Sequence, residues 1–318
     1  MKPITVFTPT FNRVTTLPRV YESLLKQSDN NFIWLIVDDG STDNTSETVL
    51  QWKKEDKLKI EYYQRPHGGK HKAMEFGFSK FATKYAISMG SDDFLKPDAI
   101  EIFNKEWFRI ESAGLNDQIV EIRAFTSDVK GVLCGYGNYS MPENCEYIDA
   151  TWHQMVLKLE NHREMIPCWN VLKLRECVDF TKYKWHTAEI RYLVEGIFWA
   201  SIGRKYKTRY INKILLTVFL DGEDRLSRKI NGNGYYLNIA VNNLYFLDEN
   251  IGFFWWNPNY FFNMVLKLII SGLIIKVSPT EILKTIGTMR LKLFYVFCFP
   301  IGFLVFLYFK YVNRKYRF

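Results

Sequence analysis

The sequence predicts an α/β protein: a Rossmann-like, mostly parallel sheet flanked by helices, with a C-terminal helical membrane-associated extension. Three observations carry this. Apolar runs of strand length alternate with helix-spaced stretches through the first hundred residues. All four predicted strands end in polar loops, two of which carry paired aspartates. After about residue 230 the chain turns to long apolar runs with basic residues between them.

The strands come first. "ITVFT" (4–8) and "IWLIV" (33–37) are continuous apolar runs, "LKIEYY" (58–63) alternates, and "YAISM" (85–89) is a fourth strand. Between them Thr16–Gln27, Thr45–Glu55 and His71–Lys80 have helical spacing, so a parallel sheet packed by helices is expected. Asp43 or Thr42 is placed to cap the second helix. Pro97 suits the first turn of another, over Asp98–Glu111. The middle, roughly 115–230, predicts strands at "IVEIRAFTSDV" and "VLCGYGNY" and helices at "TWHQMVLKLENH" and 189–206.

In open sheets of this kind ligands bind beyond the carboxyl ends of the strands. Those ends read "TPTFNR" (8–13), "DDGSTD" (38–43), "QRPHGGKH" (64–71) and "GSDD" (90–93). Adjacent carboxylates such as Asp92 and Asp93 repel each other unless a positive charge lies against them. A divalent cation is the simplest such charge, because Mg²⁺ and Mn²⁺ take oxygen ligands and are often completed by substrate phosphates. A solvated turn is the competing explanation for "SDD" alone.

"VFTPTFNR", "VDDGSTDNT", "HGGKHKAMEFG" and "GSDDFLKPDAI", in this order, resemble the nucleotide-sugar-binding half of family 2 glycosyltransferases of the GT-A fold. The resemblance is strong over about 3–110 and weaker over 185–215. It implies that Pro9, Thr10 and Phe11 line the nucleotide pocket, with Phe11 against the base. Asp39 would accept a hydrogen bond from the base, Lys70 would approach donor phosphate or base, and Asp92 would face ribose or sugar. Asp93 would hold Mg²⁺ or Mn²⁺. Many relatives carry Asp where this chain has Gly90. The general base implied is Glu195, four residues before Trp199 and followed by the turn Arg204–Tyr206 and a strand at Thr208–Ile211. Glu189, Asp221 and Asp224 compete for that role. His71 and His186 are read as structural, and Arg225 or Arg228 as candidate diphosphate contacts.

The expected activity is inverting transfer of a sugar from a nucleotide-sugar donor, UDP-linked, to a hydroxyl of a lipid-linked glycan acceptor in surface polysaccharide biosynthesis. The alternative is a catalytically silent scaffold that binds a lipid-linked glycan or a partner enzyme. A nucleotidyltransferase is disfavoured because "TPTFNRVTTLP" lacks a glycine-rich loop, and a processive synthase because "QxxRW" is absent. The expected domains are 1–230, catalytic (1–110 nucleotide-sugar-binding half, 111–230 acceptor half), and 231–318, helical and membrane-associating.

Charge and cysteine usage bound the partners. The net charge of +8 lies wholly in 251–318, where nine basic residues face one acid, Glu281. Such a tail suits an anionic membrane surface rather than nucleic acid. "LFYVFCFPIGFLVFLYF" (293–309) carries no charge over 17 residues, about 26 Å as a helix. Pro300 and Gly302 are expected to break it, which favours a re-entrant or interfacial segment, with a buried core helix pair as the alternative. Basic flanks on both sides favour keeping both ends on the cytoplasmic face of the cell membrane. Five cysteines without a CxxC pair point to a reducing compartment, with neither disulfides nor a zinc site.

Overall fold

A computed structural model describes residues 3–137, 139–179, 196–219 and 233–315. These fall into two compact units, 3–179 with 201–219, and 196–200 with 233–315.

In the first unit the strands β1 (Ile4–Thr10), β2 (Phe32–Asp38), β3 (Ile60–Gln64) and β4 (Tyr85–Ser88) alternate with helices α1 (Leu17–Leu25), α2 (Thr45–Glu55) and α3 (Lys70–Lys80). They pair in parallel in the order β3-β2-β1-β4. Then come β5 (Phe94–Leu95), α4 (Ala99–Ser112), β6 (Ile119–Ser127), β7 (Gly135–Tyr136), β8 (Tyr147–Ala150), β9 (His162–Arg163), β10 (Met165–Asn170), α5 (Val171–Cys177), α6 (Gly196–Gly203), which is divided between the two units, and β11 (Lys207–Thr217). β10 continues the sheet antiparallel to both β4 and β6. β11 runs parallel to β6 and carries β5 and β8 antiparallel on its far side.

Both faces of the parallel half are covered, which is why β2 is buried along its whole length. Ile4, Val6, Trp34 and Ile36 belong to the same buried cluster as Leu17, Val20, Trp52, Phe103 and Trp107 of α1, α2 and α4. Tyr21 stacks on Trp52 at 4.4 Å. Phe7 points the other way, edge-on to Phe78 at 6.2 Å and Phe81 at 5.5 Å.

The register brings the strand ends level. Thr10 pairs with Asp38, and Asp38 with Gln64. The loops after β1, β2, β3 and β4 therefore leave one edge, and the strand order reverses beside β1, where such sheets open a crevice.

Several details differ from the sequence reading. Asp98, not Pro97, is the residue before α4, so the proline precedes the helix rather than filling its first turn. Asn44 takes the cap position of α2 without a side-chain bond, while Asp43 accepts from the Thr45 amide at 3.1 Å. "VLCGYGNY" supplies only the two-residue β7, because Gly131, Gly135 and Gly137 all have positive φ and turn the chain away from extension. "TWHQMVLKLENH" forms a π-helical turn over Gln154–Lys158. The cysteines do not differ from that reading: all five are free thiols.

The second unit is helical: Asn233–Asn250, a 3-10 turn Ile251–Trp256, Pro258–Ile274, Pro279–Thr285 and Met289–Lys315. Asp248 caps the approach to the last helix, accepting from the amides of Gly287 at 2.9 Å and Thr288 at 2.8 Å. That helix runs unbroken through Pro300, contrary to the expected break. Proline removes one backbone bond, but the turn just past it is pinned by packing. A Cβ on Gly302 would lie only 2.8 Å from Ile269 on helix Pro258–Ile274. Met289–Val312 is long and apolar enough to cross a membrane by length and composition, and only 22% of its most apolar window is buried.

Candidate active site

The crevice is built from the four loops at the carboxyl edge. Pro9 and Thr10 are the last residues of β1, still paired with β2 at Val37 and Asp38. Phe11 turns outward, 39% exposed, and stacks on the His67 ring at 4.2 Å. Asn12 ties the first loop to the second: its amide donates to Ser41 Oγ at 2.9 Å, and its Oδ1 accepts from the Thr42 amide at 2.8 Å.

The two aspartates after β2 do different work. Asp38 is fully buried and organises its own loop, accepting from the Ser41 amide (2.8 Å), Ser41 Oγ (2.6 Å) and the Tyr62 hydroxyl (2.8 Å). Burial and the Asp38 carboxylate push the Tyr62 phenol well above its ordinary pKa. Asp39 reaches across to the third loop. Its carboxylate is held by the Arg65 guanidinium, by His67 Nδ1 at 2.9 Å, and by the Gly68 and Gly69 amides at 3.2 and 2.7 Å. Lys70 follows at once as the first residue of α3.

The fourth loop answers the charge problem posed by "GSDD". Asp93 is 9% exposed, and its carboxyl is pushed up to about 7. Burial is the main cause, followed by the charges of Asp92 and Glu164; Lys70 and the Gly90 amide pull the other way. Arg19 of α1 donates to the Asp92 carbonyl at 3.0 Å, so one guanidinium also lies against this turn. At Gly90 both carboxylates fold back over the backbone. A Cβ there would fall 2.6 Å from Asp93 Oδ2 and 2.9 Å from Asp92 Oδ1, so a side chain at this position would make both carboxylates shift.

Asp92 and Asp93 fit a hard divalent cation. The set offers oxygen ligands only, and a buried carboxyl raised by like charges is relieved by an added positive charge. Among the described residues no group of three or more His, Cys, Asp or Glu is arranged as a metal cage. An open site of one or two carboxylates completed by substrate phosphates is the arrangement these residues can offer.

The structure thus brings Pro9, Thr10, Phe11, Asp39, Lys70, Asp92 and Asp93 to one edge. Glu195 lies outside the described residues, as do its competitors Glu189, Asp221 and Asp224, and also His186, Arg225 and Arg228. Downstream of Glu195, Trp199 lies on α6, and the turn at Arg204–Tyr206 leads into β11. Sequence reasoning passed over Arg65, His67, Arg19 and Glu164. The first two lie inside the quoted third loop and could have been suspected from their proximity to Lys70. Arg19 and Glu164 have no local signal, since helix packing and an antiparallel strand bring them in.

Comparison with known proteins agrees with this architecture. Residues 5–133 match the model of Glycosyl transferase family 2. The chain is 36% identical over 99 residues to an uncharacterized glycosyltransferase of Rickettsia felis, covering 31% of this chain and 16% of that protein. It is 34% identical over 98 residues to the glycosyltransferase GlyG of Streptococcus pneumoniae serotype 4, covering 31% and 33%. The matched stretch is thus a third or less of either relative. Among solved structures, S. aureus TarS 1–349 in complex with UDP-GlcNAc superposes with a TM-score of 0.62 at 15% identity, covering 94% of this chain and 89% of that one. Residues 5–133 are therefore similar to glycosyl transferase family 2, and the fold is the GT-A-like α/β architecture expected from the sequence.

Proposed function

We propose that the protein is an inverting, metal-dependent glycosyltransferase that moves a sugar from a UDP-sugar to a hydroxyl of a lipid-linked glycan, working at the cytoplasmic face of the cell membrane in surface polysaccharide biosynthesis. The observation that carries the reading is the convergence of four strand-end loops on the buried carboxyl of Asp93. The TarS structures with UDP-GlcNAc or UDP support a uridine donor.

In this reading Phe11 stacks against the base, Asp39 takes its ring N–H, and Asp92 faces ribose or sugar. The Phe11–His67 stack and the Asp39–Arg65 pair are the contacts the base must displace or extend. Lys70 lies near enough to Asp93 to act on its proton, so it faces the diphosphate of a donor seated there. Asp93, with Asp92 beside it, would hold Mg²⁺ or Mn²⁺. The cation, when bound, neutralises charge on the departing nucleoside diphosphate. Glu195 takes the proton of the acceptor hydroxyl as its oxygen bonds to the anomeric carbon and the bond to diphosphate breaks. One displacement inverts the anomeric centre.

A donor screen on full-length protein in detergent tests this, following nucleoside diphosphate release with and without Mn²⁺. Release from one UDP-sugar that depends on Mn²⁺ is expected. Metal-independent release would remove the role given to Asp93. Donor binding without transfer to any lipid-linked acceptor would favour the silent scaffold.

A further inference from the structure

Within the second unit a cavity of about 320 Å³ is lined by Ile251, Gly252, Phe254, Trp255, Arg290 and Phe294. Its walls are aromatic: Phe254 meets Phe294 edge-on at 5.0 Å and Trp255 at 5.0 Å. Trp255 is 83% exposed, an unusual state for so large a ring on a surface facing only water. Arg290 is also exposed and makes no hydrogen bond or ion pair among the described residues. The cavity therefore joins an aromatic wall to one unneutralised guanidinium.

The helix that carries Arg290 tells what covers this surface. After Arg290 and Lys292 no charge occurs until Lys310, and Leu293, Val296, Phe297 and Leu304 are all more than half exposed. Twenty residues at 1.5 Å each separate Arg290 from Lys310, about 30 Å, which matches the hydrocarbon thickness of a bilayer. Cations at the ends of such a stretch, with tryptophan beside one of them, are the pattern of side chains at headgroup depth. The nine basic residues against one acid in 251–318 make the expected surface an anionic one.

We infer that this cavity receives the phosphate of an anionic phospholipid headgroup, with Arg290 as its counter-charge and Trp255 and Phe254 as walls for the glycerol beneath. The inference rests on the membrane reading of the tail and deepens it by naming the ligand. Guanidinium forks match phosphate oxygens in pairs, which an ammonium does not reproduce. The cavity is at the small end of ligand sites, enough for a phosphate and its glycerol but not for a glycan.

The test is flotation of full-length protein with vesicles of phosphatidylcholine alone, or with about a third phosphatidylglycerol. Wild type should prefer the anionic vesicles. Arg290→Gln should cut that preference about fivefold, the effect of one basic residue at a membrane surface, and should cost less on neutral vesicles, where choline already counters the phosphate charge. Arg290→Lys should restore only part of it. Trp255→Ala should weaken binding to both vesicles. Lys276→Gln removes a tail cation that does not line the cavity and should cost less than Arg290→Gln. Equal losses from the two glutamine variants, or full rescue by lysine, would mean diffuse attraction and overturn the site. So would wild-type binding without lipid preference. Failure of wild type to float with either vesicle would instead end the membrane reading itself. Circular dichroism of each variant separates these results from misfolding, and Arg290→Lys keeps the test alive if glutamine unfolds the helix.

Discussion

In the loops at the carboxyl edge of β1–β4, charged side chains lie inside the protein. In the C-terminal helices, apolar side chains lie outside it. Asp38, Asp39 and Asp93 are all at most 9% exposed, whereas Trp255, Phe297, Leu293 and Tyr308 are at least 67% exposed. Each region breaks the ordinary rule that charge stays in water and large apolar groups leave it. Asp38 and Asp39 find their partners within the chain, whereas Asp93 and the exposed apolar side chains are left for something outside it to complete. In the proposed function a cation with a diphosphate would complete Asp93, and lipid the apolar helices.

Deleting residues 290–318 should break the comparison most completely. The exposed apolar helix is then gone, so protein that pelleted with membranes should appear in the soluble fraction. Retention in the pellet would move attachment to residues 251–289. Donor binding, measured by calorimetry, should survive the deletion, since the residues proposed for it all belong to the first unit.

Glu195→Gln should have the next largest effect, a fall in turnover of roughly 10²–10⁴-fold with donor affinity kept. Glu195→Asp should retain part of the activity. The same exchange at Glu189, Asp221 and Asp224 supplies controls. A near wild-type rate for Glu195→Gln, with one of those three failing, would reassign the base and leave the family and fold standing.

Asp93→Asn should lower Mn²⁺-dependent UDP binding by about 100-fold or more, since even outer-shell partners of a metal cost 10–100-fold. Asp38→Asn sharpens the contrast. That carboxylate is already satisfied by three donors, so the substitution should destabilise the fold by about 1–3 kcal/mol in a denaturant titration.

How much of this was legible depended on distance along the chain. The four strands and three helices of the first eighty-odd residues follow from local periodicity, and the structure places α2 over Thr45–Glu55 as read. The loops were legible as a set because parallel strands must end on one edge. Their internal wiring was not. The Arg65–Asp39 pair joins residues 26 apart and exists only in the β2–β3 register. The antiparallel β10 was missed because "MIPCWN" is too short, and too interrupted by Pro167, to show a period. Pro300 misled for the opposite reason: a strong local signal gave way to packing at Gly302.

The smallest effect, per unit of pH, belongs to Asp93. Its folded pKa is about 7, while an unfolded aspartate titrates near ~3.9. Between those values the folded state holds a proton that the unfolded chain has lost. Stability of the metal-free protein must then fall as pH rises, by on the order of 1 kcal/mol per pH unit from this group. Below about pH 4 both states are protonated, and above about 7 both are ionised, so the slope vanishes outside that window. Asparagine cannot ionise, so Asp93→Asn should flatten the fall and make the metal-free protein more stable than wild type at pH 8. Saturating Mn²⁺ should restore wild type at that pH and leave the variant unmoved, because a cation binds the ionised form and lends the folded state its binding free energy. Chemical denaturation at pH 5, 6, 7 and 8, with and without Mn²⁺, reads all of this. Parallel curves for wild type and variant would mean that Asp93 is ionised in the folded protein without help, and that the two regions do not share the need for a missing partner.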